Sequence, residues 1–344
     1  MFTRMRLLAF VIALAGVGVF HLLDLPLPFL FGPMFACLVA ALAGLRLQGA
    51  GQVSVAARTV LGVAVGASIT PAILGQVPLM AITLAMVPVY VAVIGVIGVP
   101  FFQRICGFDR VTSYYAAMPG GFQDMVLFGQ EAGGNPRTLS LIHATRVLVI
   151  VTLVPALLTG PFGLSLDQPI GAPAREVPWT EMLVMAIIAL VGWKGGERVG
   201  LFGAAIMGPM ILAMALSLGD MLHHRPPAEA IMAAQFFIGM GIGLQFKGVT
   251  LRELRHDVAA GAAFAVILAA LAAAVTVAAH RIGGAPMVEA FLSFAPGGQA
   301  EMTVLAIVAG ADLGFIVIHH LMRLVVVITG APIVARLIWK GGGA

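Results

Sequence analysis

Two arginines stand inside apolar runs, where a charge is costly. Arg146 and Arg323 each follow a histidine, His143 and His320, by three residues, so each pair shares one helix face. On insertion scales an arginine at mid-membrane costs about 2.5–3.5 kcal/mol. Two uses offset that cost. The guanidinium can satisfy backbone carbonyls freed by a broken helix, or it can hold an anion or serve a relay; the sequence leaves both open. The second group with chemical potential is a pair of helix breaks. Pro119-Gly120-Gly121 is followed by Gln123, Asp124 and Met125, and Pro296-Gly297-Gly298 by Gln299, Glu301 and Met302. Proline removes a backbone donor and ends a helix, which leaves unpaired carbonyls and amides. Asp124 and Glu301 fall near the start of the helix that leaves each break. There a carboxylate can stabilise the helix dipole by under about 1 kcal/mol, pair with the nearby arginine, or bind a coupling proton or sodium ion. Gln123, Gln299 and Ser293 are placed to line the same space.

Other polar residues offer less. His223, His224 and His256 fall in loops, and the adjacent His319 and His320 point in different directions from one helix, so no metal site is expected. No phosphate-binding loop, nucleophile triad or dinucleotide fingerprint occurs, and no cofactor is expected. Gly62, Gly66, Ser68 and Thr70 form a small-residue stripe, as do Gly239, Gly241, Gly243 and Gln245. Such stripes pack helices closely or line a substrate path.

These features occur twice because the chain repeats itself. Leu30-Phe31-Gly32-Pro33-Met34 matches Ile206-Met207-Gly208-Pro209-Met210 at an offset of 176 residues; the Gly62, Pro-Gly-Gly and His–Arg motifs match Gly239 and their partners at 177. Residues 1–162 form the first repeat and 181–344 the second. Residues 163–180, with Pro169, Pro173 and Pro178, form the linker. The N-terminal run resembles a signal peptide, but its counterpart in the second half predicts that it is kept.

The elements that must position these residues are membrane helices. The chain is 60% hydrophobic and 10% charged with a mean hydropathy of +1.05, against roughly 25% charged for a soluble domain. Cys37 and Cys106 lie in or beside apolar segments, so no disulfide is expected. Each half has six apolar segments: near 5–23, 27–45, 55–72, 77–103, 111–131 and 138–161, then near 181–196, 200–218, 228–246, 256–280, 286–309 and 313–338. If all twelve cross, the halves share one orientation, and six of the 17 basic residues other than Arg146 and Arg323 fall outside: Arg137, Lys194, Arg198, Lys247, Arg252 and Arg255. If the Pro-Gly-Gly segments only dip in and return, the halves are inverted and three fall outside: Arg175, Arg225 and Arg281. The charge pattern favours an all-α polytopic protein of two inverted repeats, each with about five transmembrane helices and one re-entrant hairpin.

The duplicated Gly-Pro-Met and Pro-Gly-Gly-x-x-(Asp/Glu)-Met motifs resemble those of the AbrB-duplication membrane proteins, a family labelled as ammonia monooxygenases or AbrB regulators. The resemblance covers nearly the whole chain and implies a multi-pass protein of the bacterial cytoplasmic (inner) membrane. The residues themselves favour a secondary transporter of a small solute, such as a small organic anion, driven by a proton or sodium gradient. Its binding residues are expected among Arg146, Arg323, His143, His320, Gly120, Gly121, Gly297, Gly298, Gln123 and Gln299, with Asp124 and Glu301 holding the coupling ion. The expected partners are the lipid bilayer, the solute and the ion, with a homodimer as one arrangement and no role for nucleic acid. The family labels supply the alternatives, a membrane oxidoreductase or a sensor that affects gene expression. A copper oxygenase needs a histidine cluster that this sequence does not supply.

Overall fold

A computed structural model describes residues 3–201 and 203–340. The regular elements among the described residues are all helices, with no strand. The first half contains α1 (Arg4–Leu22), α2 (Pro28–Leu42), α3 (Gln52–Gly66), α4 (Pro71–Ile105), α5 (Arg110–Ala117), α6 (Phe122–Glu131) and α7 (Pro136–Thr159). The second half gives the same series: α8 (Trp179–Arg198), α9 (Ala204–Leu218), α10 (Ala228–Leu244), α11 (Leu251–Gly283), α12 (Met287–Phe294), α13 (Gln299–Val308) and α14 (Leu313–Lys340). Five of these are long and apolar enough to cross a membrane: α1, α4, α7, α11 and α14. Helices α2, α3 and α9 have 15 residues and α10 has 17. At 1.5 Å per residue they are roughly 22–26 Å long, shorter than their apolar segments and than a hydrocarbon core of about 30 Å. Multi-pass membrane residence is the coarse conclusion that these lengths and compositions support.

The helix limits follow local chemistry. Asn135 accepts hydrogen bonds from the Arg137 and Thr138 amides at 3.0 and 3.2 Å, and Pro136 occupies the first helical position of α7. Asp109 caps α5 through the Val111 and Thr112 amides at 3.0 and 2.9 Å. The two apolar segments carrying Pro-Gly-Gly each split in two, α5 from α6 and α12 from α13, at Met118–Gly121 and Ala295–Gly298. After the first break the chain doubles back: the Asn135 amide just beyond α6 donates to Thr112 Oγ1 at the start of α5, at 2.9 Å.

Two compact units form, and they do not follow the repeat boundaries. The first takes the chain through Leu74, then Ser165–Val249 and Thr303–Gly314; the second takes Gly75–Leu164, Thr250–Met302 and the chain from Phe315. Each unit therefore combines parts of both repeats.

In the first unit Gly62, Gly66, Gly239 and Gly243 of the small-residue stripes are packing contacts, whereas Gly241 faces open space. A methyl group on Gly62 would overlap the Ile206 carbonyl oxygen, and one on Gly66 the Met210 carbonyl oxygen. With the halves exchanged, Gly239 lies against the Leu30 carbonyl and Gly243 against the Met34 carbonyl. Lipid is as apolar as leucine, so close backbone approach replaces the hydrophobic effect as the source of helix association. The order of the contacts gives direction. Gly62 and Gly66 meet residues 206 and 210 in the same sequence order, so α3 runs parallel to α9, and by the same reasoning α2 runs parallel to α10.

In the second unit α4 packs on its own counterpart α11. Gly98 lies against the Phe264 ring, and Gly283 against Thr83 Cγ2. Early residues of one helix thus meet late residues of the other, and the two run antiparallel. Phe102 and Phe264, both fully buried, anchor the core with ring centroids 4.7 Å apart.

Candidate functional site

The residues with chemical potential converge in the second unit, on the two broken helices. The tip at Met118–Gly121 is held from α7. Arg146 donates from Nη1 to the Met118 carbonyl at 3.1 Å and from Nη2 to the Gly120 carbonyl at 2.8 Å. His143, one turn earlier, places Nε2 3.1 Å from the Tyr115 carbonyl in the last turn of α5. The second tip is held from α14 in the same way. Arg323 donates from Nη1 to the Ala295 carbonyl at 2.8 Å and from Nη2 to the Gly297 carbonyl at 3.2 Å, and His320 Nε2 lies 3.0 Å from the Leu292 carbonyl. The sequence separations are identical in the two halves: 28 and 26 residues for each arginine, 28 for each histidine. All four side chains are at most 7% exposed. The arginines and histidines thus pair carbonyls that the Pro-Gly-Gly break releases, the first of the two uses left open by the sequence.

The rest of each motif closes on its own tip. Met125 and Met302, both fully buried, lie against Gly120 and Gly297, where a side chain would meet Sδ at 2.8 and 2.9 Å. Gly121 and Gly298 each face a carboxylate: a methyl group there would overlap Asp124 Oδ2 or Glu301 Oε2. Both acids sit at the third position of the helix that leaves the break and fold back on the glycine preceding it, the position from which a carboxylate stabilises a helix N-terminus. The halves differ in exposure, since Asp124 is half-buried and Glu301 is 8% exposed. Gln123 is exposed, whereas Gln299, Gly121 and Gly298 are half-buried and Gly120 and Gly297 are buried.

The charged groups that hold the two tips act on one another. Arg146 lies within reach of Arg323, Tyr90 and Glu301, and Tyr90 of both arginines. Tyr90 comes from α4 and packs edge-on against Phe294, just before the second tip, with ring centroids 5.5 Å apart. Its hydroxyl is buried without a hydrogen-bond partner, as are Ser293 Oγ and Arg146 Nε. Buried polar atoms are paired in most proteins, and an unpaired one costs about 1–3 kcal/mol. Open donors beside two guanidinium groups suit a small ligand with acceptor oxygens. Tyr90 was not among the expected site residues. It lies in an apolar stretch with no repeated motif, where a lone tyrosine reads as core. Among the described residues no three His, Cys, Asp or Glu side chains gather as metal ligands.

Comparison with known proteins gives two relatives. A protein of Escherichia coli (strain K12) named "Putative regulator AbrB" is 26% identical over 337 residues, 94% of this chain and 93% of that protein. "Uncharacterized protein YhjN" of Bacillus subtilis (strain 168) is 26% identical over 291 residues, 77% of this chain and 70% of that protein. No solved structure matches. A family model described as transition state regulatory protein AbrB matches residues 29–339, nearly the whole length over which the duplicated motifs extend, and the chain belongs to that AbrB family.

Proposed function

We propose that this chain is a secondary transporter of a small organic anion. In this reading it consists of two inverted repeats, each of five crossing helices and one re-entrant Pro-Gly-Gly hairpin. The observation that carries the proposal is the pair of broken helices whose tips are held by Arg146 and Arg323 beside the unpaired Tyr90 and Ser293 hydroxyls. Two buried guanidinium groups within reach of each other repel, and an anion between them relieves that repulsion. Non-helical backbone at membrane depth is tolerated where it is buried in protein or lines a cavity, which suits a binding site made of hairpin tips.

The helix directions support inversion. Counterparts α4 and α11 run antiparallel, whereas repeats of one orientation keep counterparts parallel. Helix α9, counterpart of α2, runs with α3. If α2 and α3 cross in succession and so point oppositely, α9 points against α2. Asp124 and Glu301 are the proposed sites for a coupling proton or sodium ion. Both relatives are bacterial, in keeping with a place in the cytoplasmic membrane.

The test is solute-driven current in proteoliposomes under an imposed proton or sodium gradient, with monocarboxylates, dicarboxylates, phosphate and chloride offered in turn. A saturable response to one anion that is lost on Arg323→Gln supports the proposal. No saturable response to any of them under either gradient sinks it.

A regulatory reading rests on the family description and on the name of the E. coli relative. It predicts altered transcript levels on deletion of the protein in cells where Tyr90→Phe, which keeps the fold, restores normal expression without restoring transport. The oxidoreductase label is tested separately by metal analysis of purified protein.

A further inference from the structure

The two halves diverge where α14 passes α4. A cavity of about 590 Å³ lies there, bordered by α4 from Pro88 to Gln103 and by α14 from Val326 to Ile338. The sequence explains it. In the first half α7 reads Thr152-Leu153-Val154-Pro155; at the equivalent place α14 reads Thr329-Gly330-Ala331-Pro332. Loss of the leucine and the shortening of valine to alanine remove apolar volume from one wall, and Ala92 and Gly95 keep the facing wall low. Helices α7 and α11 of the same unit pack closely one to two turns nearer the start of each, with Gly261 against Ile142 and Thr145.

We propose that this seam is a binding site for one acyl chain of an anionic phospholipid, a reading that rests on membrane residence but not on transport. Three observations support it. The walls are apolar except for Gln103 and Arg110 at one end and Tyr114, whose hydroxyl donates to the Ala331 carbonyl at 2.8 Å. Arg110 is exposed there, with exposed Arg104 close by in sequence, and the neighbouring Asp109 is committed to capping α5. The slot also has the length of a lipid tail. From Gln103 to Pro88 is 15 residues, roughly 22 Å of helix, enough to reach through one leaflet of a core about 30 Å thick. A charged end and a leaflet-deep apolar trough are complementary to a phosphate headgroup and its tail. The inner part of the slot touches Met118, whose carbonyl Arg146 holds, so an occupant would rest against the first tip.

Native mass spectrometry and thermal unfolding of the full chain in detergent test this, with phosphatidylglycerol and phosphatidylcholine of matched chains as probes. Phosphatidylglycerol is expected to stay bound and to raise the melting temperature more than phosphatidylcholine does. Gly330→Leu restores the first-half residue, and a side-chain carbon there meets nothing within 4 Å, so the variant is expected to fold and to lose the response. Ala92→Leu fills the seam from the other wall and should do the same. Arg110→Gln should weaken phosphatidylglycerol about fivefold, the loss of about 1 kcal/mol for one basic residue at an anionic surface, and leave phosphatidylcholine unchanged. Equal stabilisation of the parent by both lipids overturns the proposal. So does an undiminished response in both leucine variants, or the same shift with glycerol phosphate, which has no tail. None of these results depends on whether an anion is transported.

Discussion

Replacing either buried arginine by glutamine or lysine separates the scaffold role from the ligand role. Arg146 makes two hydrogen bonds to the first tip, at 3.1 and 2.8 Å, and Arg323 two to the second, at 2.8 and 3.2 Å. Glutamine ends two bonds short of the guanidinium nitrogens, so both carbonyls lose their partner. At about 1–3 kcal/mol for each buried acceptor left unpaired, the loss is about 2–6 kcal/mol, less whatever is regained because the buried charge is gone. Lysine ends one bond short and carries one ammonium, which reaches one carbonyl, so about half the loss is expected. Melting temperature falls about 2–4 °C per kcal/mol for chains of 150–250 residues; the glutamine variants should therefore melt several degrees below the parent, with lysine between. Because the two tips are held alike, Arg146→Gln and Arg323→Gln should fall by similar amounts. The response to an added anion should differ: Arg323 is expected to matter more, since the Ala295 tip is smaller than the Met118 tip. The assay is thermal unfolding of purified variants with and without the anion identified in proteoliposomes. Glutamine variants that melt with the parent refute the carbonyl role. Full anion stabilisation in both glutamine variants refutes the anion site.

Four further outcomes are expected. Cysteines placed at Ala132 and Gly195, in a background without Cys37 and Cys106, should be labelled only from the cytoplasmic side; labelling from outside supports twelve crossings and excludes the hairpins. Asp124→Asn and Glu301→Gln should reduce transport and shift its dependence on pH or sodium, and normal transport at every condition in both leaves these acids with a capping role alone. Tyr90→Phe removes a buried hydroxyl without a partner, so it should melt at or above the parent temperature while transport falls; unchanged transport removes Tyr90 from the site. Gly62→Ala and Gly239→Ala should each destabilise by about 1–3 kcal/mol through overpacking against a backbone carbonyl, whereas Gly18→Ala, where added carbon meets nothing within 4 Å, should not, and equal stability of all three would show that the stripes are not packing surfaces.

Much of this was legible from the chain itself. The repeat, the helix breaks and the pairing of His143 with Arg146 and of His320 with Arg323 follow from spacing, because a helix turn puts residues three apart on one face. The Pro-Gly-Gly breaks follow from the chemistry of proline. What spacing could not give was the partner of each arginine, since carbonyls 26 and 28 residues away are brought near only by folding. Nor could it give Tyr90, whose hydroxyl is left unpaired near two arginines. The cavity was hidden for a related reason. Gly330 and Ala331 are ordinary residues in an apolar helix, and they become informative only when set beside Leu153 and Val154 and when the facing helix is known.

The differences between the halves follow a pattern. The parts that hold the tips agree closely: the same arginine and histidine separations, a methionine under the first tip glycine and a carboxylate, Asp124 or Glu301, against the second. The parts around the tips do not. Met118 stands where the second half has Ala295, Asp124 is half-buried where Glu301 is buried, and α14 carries Gly330 and Ala331 along the slot where α7 carries Leu153 and Val154. A broken helix in a membrane tolerates little change in the groups that satisfy its backbone, because each buried carbonyl left unpaired costs about 1–3 kcal/mol. The surroundings carry no such constraint. A duplicated protein can therefore keep two copies of one scaffold while assigning them unequal tasks. In the transporter reading the smaller Ala295 tip is the better place for the anion, with the buried Glu301 near Arg146 holding the coupling cation beside it. In the same reading the half-buried Asp124, and Met118 at the border of the apolar slot, make the first break the one that solvent and lipid can influence.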